Sequence, residues 1–122
     1  MALHAELLSG QGILVLTPTG PLAAADFAAA AALADPWIEQ HGKLAGVLIH
    51  AKSFPGWEDF AGLVAHLKFV RAHHAEIRRI ALVTDSTLRS VGPALARHFV
   101  AAEVKAFDYG QRDEALAWLR AA

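Results

Sequence analysis

The chain has 122 residues, the size of one domain, and 55% hydrophobic against 19% charged residues, which excludes a disordered chain. Lys plus Arg number 11 and Asp plus Glu 12, a net charge of -1, so there is no basic footprint for nucleic acid or an anionic membrane. Cysteine is absent, which excludes disulfides, thiolate chemistry and cysteine-based zinc or iron–sulfur sites.

No apolar run reaches the roughly 18 residues of a spanning helix, and Met1 to Gly10 lacks the basic flank of a signal peptide. A cytoplasmic protein is the expectation. No linker, repeat or low-complexity tail divides the chain, so residues 1–122 read as a single domain. The 27 alanines point to small helices packing close to a sheet.

In chain order, Ala5 to Leu8 and Ile13 to Thr17 are short apolar runs around Ser9-Gly10-Gln11-Gly12, a hairpin signal. Pro18 and Gly20-Pro21 end the second run. The alanine-rich stretch from about Ala23 toward Gln40 predicts a helix. Pro36 within it predicts a kink, or two helices with Asp35 capping the second, and Gly42 is a C-terminal stop. Leu44 to His50 is short and almost wholly apolar, as a strand buried on both faces should be. A helix follows from Trp57 to about His74, with Phe60, Leu63, Val64, Leu67 and Val70 as its inner stripe.

Ile80 to Thr84 is another buried strand, and Asp85-Ser86-Thr87 a capping turn. Leu88 to Val100 predicts a third helix that accommodates Gly92-Pro93. Glu103 to Asp108 alternates as an edge strand does, and Gln111 to Arg120 is a last amphipathic helix. Strands alternating with helices imply a mainly parallel sheet with right-handed crossovers. Sites in such sheets form beyond the C-terminal strand ends, which here carry Thr17 to Thr19, His50 to Ser53, Thr84 to Ser86 and Asp108-Tyr109.

Phosphate-cradling motifs are missing, because Gly10-Gln11-Gly12 lacks a third glycine and no helix opens after it. Seven His invite a metal hypothesis. The spacing opposes it: His66 and His73 sit about 10 Å apart along a helix axis, and no HExxH occurs. His73 and His74 are expected to be solvated at a helix C-terminus. No metal and no cofactor are expected.

Ser53 after the strand ending in His50, with Asp85 and Ser86 after another, sketches a Ser, His and Asp set. The GxSxG elbow is absent, and Asp85 and Ser86 serve equally as caps, so a weak hydrolase is the minor alternative to a non-enzymatic protein. Ser53-Phe54-Pro55-Gly56-Trp57 is the most unusual segment. Its two rings either staple the helix onto the sheet or line an apolar pocket and touch lipid. The candidate ligand-binding residues are His50, Lys52, Ser53, Phe54, Trp57, Phe60, Asp85 and Ser86. Phe69, off the proposed inner stripe, joins the pocket reading or a dimer contact.

Several segments together resemble the SpoIIAA-like family of small bacterial proteins. They are Val47 to Ala51, Phe54-Pro55-Gly56-Trp57-Glu58-Asp59-Phe60, His66 to Arg71, Ile77 to Asp85, Phe99 to Val104, Phe107 to Gly110 and Ala115 to Leu119. The family is similar in fold to STAS domains, the anti-sigma-factor antagonist class, and more distantly to lipid-carrying CRAL-TRIO domains. The resemblance implies a five-stranded, mostly parallel sheet in sequential order, with an N-terminal β-hairpin and about four packed helices. It also implies a non-enzymatic binding or regulatory role. The partner is then an apolar, lipid-like small molecule, with peripheral contact to a membrane surface. The alternative is a STAS-type protein-interaction module, as a homodimer or with a regulatory protein. STAS antagonists carry a regulatory Ser in the loop that opens the helix after the third strand. Here that stretch is Phe54 to Trp57, without a hydroxyl, which argues against a phospho-serine switch.

Overall fold

The computed structural model describes residues 2–8, 10–85, 93 and 101–121. Strands β1 (Leu3–Leu8) and β2 (Ile13–Pro18) form an antiparallel hairpin in which Leu8 pairs with Ile13 and Leu3 with Pro18. Its turn needs Gly12: φ is +67°, and a Cβ there would meet the Trp37 indole at 2.8 Å. Strands β3 (Leu44–His50), β4 (Ile77–Val83) and β5 (Glu103–Phe107) then add in parallel, in the order β1-β2-β3-β4-β5. The five-stranded mixed sheet agrees with the sequence reading. Three helices, not four, have described ranges; of the one expected from Leu88 to Val100 only Pro93 is among the described residues.

Helix α1 (Ala24–His41) runs unbroken through Pro36, so the split into two helices does not occur. Asp35 is not a cap; its carboxylate lies 2.7 Å from His73 Nε2. A proline inside a helix removes one hydrogen bond, and burial of Phe27, Ala30 and Ala34 against the sheet outweighs that loss. At the N-terminus the buried Asp26 carboxylate accepts the Ala23 N–H at 2.8 Å. At the C-terminus Gly42, with φ +92°, donates to the Ile38 carbonyl at 2.7 Å.

Helix α2 (Phe60–His73) begins three residues later than the sequence suggests. Asp59 is the N-cap, its Oδ1 accepting from Gly62 N at 2.9 Å, and a short 3-10 turn leads into β4. The expected inner stripe holds only in part, with Leu63, Val64 and Val70 half-buried. Phe60 is 76% and Leu67 62% exposed, whereas Gly62 and His73 are buried, and Ala65 and Phe69 pack on the core. Docking against α1 sets this rotation. Gly62 lets the helix backbone close on the Leu22 carbonyl, where a Cβ would clash. His66 stacks on Phe27 at 4.8 Å. His73 is not solvated: its ring nitrogens face the Phe69 carbonyl at 2.8 Å and Asp35 at 2.7 Å.

Helix α3 (Arg112–Arg120) packs on the opposite face of the sheet. Its Leu119 sits over Gly46, where a Cβ would lie 2.5 Å from a Leu119 methyl. Arg79 of β4 locks this side, donating to the Trp118 carbonyl at 2.8 Å and to Glu103 at 3.2 Å. Its guanidinium lies 4.8 Å from the Trp118 ring centroid. Two apolar clusters result, one under α1 and α2 and one under α3.

Candidate functional site

Parallel strands end together, so their exit loops meet at one edge. After β3, Ala51 N–H donates to the Val83 carbonyl at 3.1 Å. The Lys52 carbonyl accepts from Thr84 Oγ1 at 2.9 Å and from Asp85 N at 3.2 Å. Asp85 Oδ1 accepts the Tyr109 N–H at 3.1 Å, and the Tyr109 ring stacks on His50 at 4.5 Å. His50, Lys52 and Asp85 therefore share one edge, with Lys52 joined through its backbone. Ser53 is exposed, and among the described residues no hydrogen bond links it to His50 or Asp85. Ser86 lies outside the described residues.

The Phe54–Trp57 loop folds back onto the start of α1. Leu22 N–H donates to the Gly56 carbonyl at 2.9 Å, and Glu58 N–H donates to the Leu22 carbonyl at 2.8 Å. Gly56 takes φ +82°, which a side chain would strain. Phe54 and Trp57 meet edge to face at 4.9 Å, and each keeps about two fifths of its surface exposed. The Trp57 indole N–H donates to His66 Nδ1 at 3.0 Å. Because an indole can only donate, Nδ1 carries no proton and the neutral ring holds its proton on Nε2. Burial agrees, pushing the His66 pKa below its ordinary value near 6.5.

Two apolar hollows lie between this latch and the sheet. The larger, about 140 Å³, is lined by Leu16, Phe27, Ile49, Phe54, His66 and Leu82 among others. The second, about 100 Å³, shares Leu16, Phe27, Ile49 and His66 and continues under α2 toward His73. Trp57 lines neither; it borders a groove on the outer side of α2 with Leu63, Leu67 and Val70. Phe60 lines none of these, because it points to solvent at the first turn of α2. Of the described candidate ligand-binding residues Phe54 lines the larger hollow, and Phe69, joined to the pocket reading, lines the second.

Sequence reasoning missed Phe27, Ile49, His66 and Leu82. A usable signal exists for His66: Gly62, His66, Phe69 and His73 recur at helical spacing and share a face. Their mixed polarity hid that face from a reading based on apolar residues alone. Among the described residues no three of His, Asp and Glu gather as metal ligands. No described helix is long and apolar enough to cross a membrane.

The SpoIIAA-like family model matches residues 13–120. The chain belongs to the SpoIIAA-like family. Its fold is that of a STAS-type module. It is similar to the crystal structure of an uncharacterized protein with a SpoIIAA-like fold from Shewanella loihica, with a TM-score of 0.73 and 23% identity. The likeness covers 97% of this chain and 92% of that one and concerns the fold. A comparison with curated proteins finds no match.

Proposed function

We propose that this SpoIIAA-like domain is a non-enzymatic binding module that takes an apolar ligand between the sheet and α2. The observation that carries the reading is the pair of adjoining apolar hollows beneath a loop-to-helix latch. A well-packed domain leaves few voids larger than a water molecule, so two side by side on one face are notable. Phe54 forms part of the wall, and Trp57 holds the loop to His66. Native mass spectrometry of protein purified without detergent tests this. A discrete adduct that is lost in Phe54→Ala is the expected result; wild-type protein that carries no adduct and stays ligand-free when titrated with ethylbenzene and with acetophenone would contradict the reading.

A second reading, a STAS-type protein-interaction module without a phospho-serine switch, is favoured by the outer face of α2. Phe60 and Leu67 stand exposed there beside the Trp57 groove. The same rim would serve peripheral contact with a membrane. Vesicle co-sedimentation compared with sedimentation equilibrium separates these roles. Binding to vesicles that Phe60→Ser and Leu67→Ser abolish assigns the rim to lipid; self-association abolished by the same changes assigns it to protein.

A further inference from the structure

The larger hollow limits its occupant in size and in chemistry. An apolar cavity of about 150 Å³ holds one benzene ring, and sites for drug-sized molecules span about 300–1,000 Å³. At about 140 Å³ the hollow matches the former, and even joined to its neighbour of about 100 Å³ it stays below the volume of a site for drug-sized molecules or a long acyl chain. Its lining also carries one unassigned polar group. The Thr84 hydroxyl donates to the Lys52 carbonyl. His66 is the one titratable side chain among the described lining residues, and its Nδ1 is occupied by the Trp57 N–H. His66 borders both hollows and the outer groove, and Nε2, which is not sealed from solvent, makes no hydrogen bond to a described residue.

We infer that the hollow takes a compact ligand, one ring or an aliphatic group of that size, bearing a single hydrogen-bond acceptor that His66 Nε2–H engages. The inference rests on the ligand-binding reading above and narrows its ligand class. Seating a ligand removes water from around Nε2–H. A ligand with an acceptor replaces that water, whereas a pure hydrocarbon leaves a buried donor unpaired. The penalty also selects orientation, since the acceptor must lie toward α2 and the hydrocarbon toward Ile49 and Leu82 of the sheet.

Acetophenone and ethylbenzene test this, being alike in size but differing in a carbonyl. The intact protein is titrated with each and followed by NMR of backbone amides and of the His66 ring nitrogens. Acetophenone is expected to bind about tenfold more tightly and to shift the Nε2 resonance, which ethylbenzene does not move. The preference is expected to vanish in His66→Phe, which keeps a ring against Phe27. The Nε2 shift in the wild-type protein decides the matter should that variant not fold. Equal affinities with a silent Nε2 would overturn the acceptor requirement while leaving the ligand-binding reading intact. Palmitate displacing acetophenone would overturn the size limit. Binding of neither ring compound would overturn both the inference and the ligand-binding reading.

Discussion

The two faces of the sheet are built from similar residues and packed in different ways. Under α3, Leu48, Ala81, Val83, Ala115 and Leu119 are buried around Gly46, and Arg79 ties the helix to β4 and β5. Under α1 and α2, aromatic and histidine rings stack on one another, and two hollows remain between them and the strands. On the proposed function, the α3 face serves stability and the α2 face serves binding.

Substitutions that remove the same kind of mass from each face sharpen this contrast. Leu119→Ala should cost about 4 kcal/mol, because Leu119 is fully buried in the closed cluster. Ile49→Ala should cost about 2 kcal/mol, since Ile49 already borders empty space and has fewer contacts to lose. Urea denaturation measures both. An equal or reversed ranking would break the contrast.

Acid should act on the α2 face in particular. His66 has a lowered pKa in the folded protein, so the unfolded chain binds its proton first. The stability it contributes is complete above about pH 6.5 and is lost progressively as pH falls below that value. Protonation also places a proton on Nδ1, which then no longer accepts the Trp57 N–H. Denaturation midpoints between pH 8 and pH 5 should fall less in His66→Phe than in the wild type. Identical slopes would show that the latch does not respond to acid.

The smallest effect belongs to the rim. Phe60→Ser should change stability by no more than about 0.5 kcal/mol, since the ring is mostly in water. A larger loss would place Phe60 in the folded core and remove it from the binding surface.

Much of the sheet was readable from residues alone. Leu44 to His50 and Ile80 to Thr84 are apolar runs of strand length, and glycines mark the hairpin and the end of α1. The rotation of α2 was not. Apolar periodicity selects Phe60 and Leu67, but the face that docks carries Gly62, which admits a backbone, and His66 and His73, which pair with groups on other segments. Asp35 reads as a cap because it precedes Pro36, and its actual partner lies 38 residues away. The same limit applies to the hollow. His50, Lys52 and Asp85 stand at strand ends where a general rule places them. Phe27, His66 and Leu82 come together only through the docking of α1 and α2 on the sheet.

Methyl-resolved NMR of the intact protein titrated with ethylbenzene tests the contrast between the faces most directly. The account predicts that methyl signals of Leu16, Ile49 and Leu82 shift with saturation while those of Leu48, Val83 and Leu119 stay in place. No saturable shift, or equal shifts on both faces, would contradict it.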